Sequence, residues 1–294
     1  MTDEITPSNT NDSSLIEQYD EKINRVSTIL LDLAEETEDE ELREKLTNLS
    51  EQTSPVIKGV DIANDRIKIP MVLLRQLITP EENVPKETKA GQMYTNDGTH
   101  LGDSLTVIPV LLYKARRKWG EASKVPECQS LDNETGSRYG ECAKCPYGQF
   151  EKNTRPECAN GYSCFFLTGD LSNIYQVDLM RTSAPIGARI VKNAKAPALW
   201  ARSFVLSSEK KQQTSGTKAT YYTYQIRVDG DVDPEVMKVG DILYEYFYTN
   251  KLKAILLQKE YAKRNALSLT GMTNGAGADN GAPNTDAIDF SENM

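Results

Sequence analysis

All five cysteines of the chain fall between positions 128 and 164: Cys128, Cys142, Cys145, Cys158 and Cys164. At their centre lies Cys142-Ala-Lys-Cys145-Pro, a C-x2-C pair, with Cys128 14 residues before it and Cys158 13 residues after it. The residues between are turn formers: Asp132, Asn133, Gly136, Gly140, Pro146, Gly148, Asn160 and Gly161. Such a segment buries little apolar surface and needs a staple, which a metal supplies. Four thiolates bind Zn2+ tetrahedrally and leave no open position, so the expected role is structural. The expected ligands are Cys128, Cys142, Cys145 and Cys158. Cys164 opens the apolar run Cys-Phe-Phe-Leu and reads as a buried free thiol, competing with Cys158 for the fourth place. A redox C-x-x-C is the rival, without the βαβ pattern that would surround it.

One histidine, His100, stands in 294 residues. That argues against Ser-His, Cys-His and multi-His metal mechanisms and leaves only carboxylate or lysine chemistry for an enzyme. No apolar run approaches the ~20 residues that cross a bilayer. The polar, acidic start of the chain lacks the features of a secretory signal. The expectation is a cytoplasmic protein without disulfides.

Charge is segregated. The net charge is −9, from 34 Lys and Arg against 43 Asp and Glu. Residues 1–58 hold 15 carboxylates and 5 cations, and residues 265–294 hold 4 carboxylates and no cation. The middle, 59–264, therefore carries 29 cations against 24 carboxylates. A basic body between acidic ends suits a polyanion ligand, and acidic ends that merely aid solubility are the plainer alternative.

The pattern predicts an α+β fold. Residues 1–13 and 265–294 are expected to be disordered. Leu15, Tyr19, Ile23, Val26, Ile29, Leu30 and Leu33 form a helical stripe, repeated more weakly by Leu42, Leu46 and Leu49. An acidic helical hairpin over 14–58 follows, whose stripe seats a partner, a second copy or the chain's own body. Ser54–Gly59 reads as a linker, Ile67–Ile78 as a helix from Pro70 in preference to a strand, and residues 80–102 as loop. Strands are expected at Leu105–Tyr113, Phe165–Thr168, Ile174–Leu179, Trp200–Leu206 and Tyr221–Val228, the last two paired across a polar loop. Helices are expected over Thr182–Ala194, with Ser183 as N-cap, from Asp233, and within Ile242–Arg264. Five strands with helices between suit an OB-like small β-barrel over 59–264, with a zinc module inserted at 128–164. Asp229-Gly-Asp231-Val-Asp233 starts like a calcium loop but lacks the required glycine and glutamate further on.

Cations and rings coincide in three segments. Lys114, Arg116, Arg117, Lys118 and Trp119 follow one strand; Arg189, Lys192, Trp200, Arg202 and Phe204 follow the thiol segment; Tyr222, Tyr224 and Arg227 lie on the last strand, with Lys210 and Lys211 on the loop before it. Single-stranded nucleic acid is held by cations along the backbone and rings beneath the bases, so these residues are the candidate DNA contacts. Taken singly, each aromatic reads more readily as barrel core; the coincidence of cations and rings across three segments favours binding.

In combination, Val110-Leu-Leu-Tyr-Lys-Ala-Arg-Arg-Lys-Trp119, Cys128-Gln-Ser-Leu-Asp132, the C-x2-C-P knuckle, an apolar strand, a short helix and Trp200-x-Arg202-x-Phe204 resemble phage-encoded single-stranded-DNA-binding proteins. The likeness is to the Drc type, a DNA-binding cofactor of a phage RNA polymerase, and covers roughly residues 100–230. It implies binding to unwound DNA in replication or early transcription, without catalysis, and a phage polymerase or replication proteins as partners. The stretch Asp286-Ala-Ile-Asp289-Phe290 is similar to the acidic tails of bacterial single-strand binders, although Ser291–Met294 follow it. Two other readings compete. One is a zinc-containing interaction factor that docks a polymerase without binding DNA strongly. The other is a carboxylate-based nuclease. No membrane partner is expected, and a second copy of the chain is a further candidate partner.

Overall fold

The computed structural model describes residues 10–54, 69–120, 126–150, 155–213 and 219–272. The disorder expected at 1–9 and 273–294 and most of the expected linker lie outside these residues. The architecture is mixed α+β: an N-terminal helical pair against a curled half-barrel sheet. Helices α1 (Thr10–Glu36) and α2 (Glu40–Thr53) form the pair. Asp39 caps α2 by accepting from the amides of Glu41 (2.9 Å) and Leu42 (3.2 Å). Arg43 donates to the carbonyls of Ala34 (3.3 Å) and Thr37 (2.8 Å), which α1 leaves unpaired at its end.

The sheet is built from β1 (Met71–Leu74), β2 (Met93–Thr95), β3 (His100–Gly102), β4 (Ser104–Trp119), β5 (Pro126–Ser130), β8 (Ala159–Thr168), β9 (Ile174–Met180), β10 (Arg202–Gln212) and β11 (Thr220–Asp231). Between them β6 (Thr135–Gly136) and β7 (Gly140–Glu141) make a small separate ladder. The main order is β11-β10-β4-β8-β9-β1-β2-β3, with β5 paired to β4. Helix α3 (Ala184–Asn193) follows β9, and α4 (Pro234–Met272) follows β11.

Several expectations shift. Residues 71–74 are a strand, not part of a helix. Four apolar residues are too few for a stable helix, and here they are paired on both edges, parallel to β9 and antiparallel to β2. The loop expected over 80–102 contains β2 and β3. Strand β4 runs six residues past Tyr113, so the cationic run lies within a strand rather than after one. The two helices expected after Asp233 are one, and it continues past Asn265. Ser183 stands at the N-cap of α3 without bonding its amides; its hydroxyl meets Thr223 Oγ1 at 3.2 Å instead. In place of the five strands expected of an OB-like barrel, the main sheet has nine, curled into a half-barrel.

Pro109 explains how β4 serves two cores. It has no N–H for the ladder, and the register with β8 shifts between Pro109 and Leu111. On one face Ile108, Val110, Leu111, Tyr113 and Ala115 pack with Phe165 and Leu167 of β8, with Val26, Leu30, Leu46 and Leu49 of the helical pair, and with Leu243 and Phe247 of α4. Most of the hairpin stripe is thus covered by the chain's own body, with Ile29 left exposed. Gln52 of α2 ties it down, donating to Ser172 O at 2.9 Å and accepting from Ile174 N at 3.1 Å. The concave face holds Val107, Cys164, Phe166, Val177, Phe204, Leu206, Tyr224 and Ile226, with Ile186 and Ile190 of α3. Gly187 lets α3 lie directly on the Tyr162 ring, since a Cβ there would sit 2.4 Å from Cδ2.

The curl brings β11 back towards β1. Gln76 bridges the gap with its amide, accepting from Tyr222 N at 2.8 Å and donating to Tyr222 O at 3.0 Å, and Tyr224 Oη donates to Val72 O at 2.9 Å. Side chains do there what a backbone ladder does in a closed barrel.

Phe247 stacks on Phe165 at 4.3 Å, and both are buried. Phe247→Ala should cost about 3–5 kcal/mol, read as a lower urea midpoint at unchanged slope. A loss below about 1 kcal/mol would mean that α4 is not held by this contact.

Candidate nucleic-acid interface and metal centre

The basic run of β4 is distributed by strand alternation. Lys114 is exposed. Arg117 is buried and paired with Asp178, its Nη2 donating to Oδ1 at 3.0 Å and its Nε lying 2.9 Å from Oδ2. Gln129 Oε1 accepts from Arg117 Nη1 at 3.3 Å, and Ser163 Oγ donates to Asp178 Oδ1 at 2.9 Å. Lys118 is also buried. Its ammonium is 2.5 Å from Glu127, 3.4 Å from Glu157, and 4.5 Å from the centre of the Tyr147 ring. Trp119, at the strand end, is 39% exposed.

The second set of expected contacts also divides. Phe204 is fully buried in the concave core, so its ring cannot meet a base. Trp200 is buried against Tyr244, 5.0 Å between ring centres. Tyr224 is buried and hydrogen-bonded to Val72 O. These three, with Arg117 and Lys118, are interior residues and correct the sequence-based contact list. Each apolar ring completes a core, and each buried cation is matched to a carboxylate.

The others reach the surface. Arg189 of α3 is exposed and donates to Gln225 Oε1 at 3.1 Å. Lys192, Lys210 and Arg227 are exposed, and none forms an ion pair among the described residues. Lys211 lies 3.4 Å from Glu209. Arg202 is half-buried, donating to Asn193 O at 3.1 Å and lying 3.4 Å from Asp231. Tyr222 is half-buried against Gly91. Val191 and Val228 add exposed apolar surface, 57% and 38%, to α3 and β11. The topology gathers these residues on α3 and the β10–β11 ribbon.

The cysteines separate into four and one. Cys128, Cys142, Cys145 and Cys158 line one pocket, together with Arg116, Lys118, Tyr139 and Tyr147. Cys164 is fully buried in the concave core. Gly136 is wedged between thiols: a Cβ there would stand 2.9 Å from Cys128 Sγ and 3.8 Å from Cys142 Sγ. The Arg138 amide donates to Cys128 Sγ at 3.5 Å. Among the described residues no three His, Cys, Asp or Glu side chains are arranged to hold a metal ion. The four thiols share a pocket without forming a ligand cage.

Burial pushes Cys158 up to about 11, its thiol neighbours add to this, and the Arg116 charge opposes it. Burial likewise raises Cys142. A raised thiol is the opposite of the depressed one that makes a redox cysteine nucleophilic. The donor set suits a soft divalent cation such as Zn2+, which favours the thiolate form.

Sequence reasoning missed the clamp around this pocket, although a signal was present. Pro126-Glu127-Cys128 and Pro156-Glu157-Cys158 repeat one tripeptide. Both glutamates reach Lys118, which fastens together the segments carrying Cys128 and Cys158. Tyr139 Oη donates to Glu127, and the Tyr139 and Tyr147 rings lie 4.9 Å apart.

Compared with protein-family models, curated proteins and solved structures, the chain matches none. No helix among the described residues is long and apolar enough to cross a membrane.

The Lys118 hydrogen bond, helped by Tyr139, holds Glu127 below its ordinary carboxylate range, while Lys118 is raised by the same contact. A depressed carboxylate contributes stability that is complete above its unfolded value and is lost as pH falls through its folded value. Glu127→Gln should therefore lower stability at neutral pH and flatten the acid limb of the stability–pH curve. An acid limb unchanged in the variant would remove Glu127 from the clamp.

Proposed function

We propose that the chain is a non-catalytic single-stranded-DNA-binding protein of the phage kind its sequence resembles, gripping unpaired strands on the face of α3, β10 and β11. One observation carries the reading. Among the described residues, 181–231 holds eight cations against the three carboxylates Glu209, Asp229 and Asp231. The basic excess of the body is concentrated in this one stretch, whereas the helical pair is strongly acidic. Exposed Lys192, Lys210 and Arg227 supply phosphate contacts, and Tyr222, Val191 and Val228 supply apolar surface for bases. In this reading the curled sheet serves as the OB-like body. A structural zinc on Cys128, Cys142, Cys145 and Cys158 staples the inserted module, whose turn-rich segments have little core of their own.

Anisotropy with a fluorescent thymidine oligomer of about 20 nucleotides tests this directly. Affinity should fall linearly in log–log form with salt, at a slope of about 0.7 per phosphate neutralised. The Lys192→Gln, Lys210→Gln, Arg227→Gln triple variant should reduce that slope by about 2. Phe204→Leu should leave it unchanged. Equal affinity for duplex of the same length, or an unaltered slope in the triple variant, would defeat the proposal.

The zinc component is read separately. Native mass spectrometry should find one zinc per chain. A chelator should lower the thermal midpoint of the wild type and leave that of a Cys142→Ala, Cys145→Ala variant in place. Protein purified without metal, and indifferent to added zinc, would refute it.

A further inference from the structure

We infer that Arg116 is the counter-charge of the thiol site rather than a nucleic-acid contact. The inference rests on the zinc proposed above. Zn2+ held by four thiolates carries a net charge of −2, and a half-buried anion needs a cation or N–H donors beside it. Arg116 lines the pocket that the four thiols line. Its Nη1 would lie 3.3 Å from a Cβ at Gly148, which lines the same pocket. Its Nε donates to Asn133 Oδ1 at 2.8 Å, a neutral acceptor that fixes the plane without cancelling the charge.

The neighbouring cations are already matched. Lys118 faces Glu127 and Glu157, and Arg138 lies 3.1 Å from Glu127. Arg116 has no carboxylate partner among the described residues. A guanidinium is weakly hydrated and planar, so it tolerates this position better than an ammonium would.

The test is chelator competition for zinc on the full-length protein at two ionic strengths, with visible absorption of the cobalt-loaded form as a geometry control. Arg116→Gln should weaken zinc binding about tenfold at low salt, and the gap should narrow as salt screens the charge. Arg116→Lys should recover most of the affinity, which also guards against a variant that merely folds poorly. The cobalt bands should keep their positions in both. Zinc-saturated Arg116→Gln should bind the thymidine oligomer as the wild type does. Wild-type zinc affinity in Arg116→Gln would overturn the inference. So would a loss of oligomer affinity with metal affinity intact, which would return Arg116 to the nucleic-acid surface. A wild type that takes up neither metal sinks the zinc reading and this inference with it. A wild type that binds metal but no oligomer sinks only the single-strand reading, and the Arg116 comparison still stands.

Discussion

Four cations within five residues of one strand impose the constraint from which much of this molecule follows. Lys114, Arg116, Arg117 and Lys118 sit on β4 where β8 pairs with it as far as Arg117 and β5 pairs with it from Arg116 onward. Strand pairing fixes which face each side chain takes, and a cation held on a covered face without a partner is costly. The fold answers residue by residue. Asp178 of β9 comes to Arg117, and Glu127 and Glu157 come to Lys118. Lys114 is left to solvent. Those pairings join β9, β5 and the segment before β8 to a single strand, and they set where the cysteines stand.

The same strand divides the hydrophobic work. Its bulge at Pro109 lets successive residues serve the core beneath α1, α2 and α4, while Val107 on the other face serves the concave core under α3. Two cores on one sheet explain why the helical pair is docked rather than free, and why α3 is short. α3 needs only Ile186 and Ile190 to cover the concave side, which leaves Arg189, Val191 and Lys192 facing out. The basic surface is a by-product of that economy: a ten-residue helix with one buried stripe presents all its remaining side chains to solvent.

Periodicity made the hairpin, β9, the β10–β11 pair and α3 legible in the sequence, because each has one buried face and its apolar residues keep time with its geometry. It failed at β1, where a short apolar run carries no period. It also failed on the cationic end of β4, where charge outweighed the alternation that Tyr113 and Ala115 continue. The site reading failed for a related reason. Composition marks a residue as a cation or a ring but does not say which face it occupies, and Phe204, Trp200 and Tyr224 lie on the buried one. Cys158 and Cys164 differ by the same logic. Cys164 alternates with Phe165 inside a strand, while Cys158 closes the second Pro-Glu-Cys, just before β8 begins.

Electrostatics then sorts surfaces that composition alone confuses. Arg117 and Lys118 of the β4 run are matched by carboxylates, and such charges are spent on holding the fold. Cations on α3 and on the β10–β11 ribbon sit where carboxylates are few, so their field extends into solvent. A polyanion is attracted to the second kind and not to the first. The distinction separates the ribbon and α3, where cations outnumber carboxylates, from the end of β4, where Arg117 and Lys118 are paired. It also accounts for how a chain of net charge −9 presents a positive face: the acidic excess is carried by the N-terminal segment and the C-terminal stretch, while the ribbon and α3 keep their cations in excess.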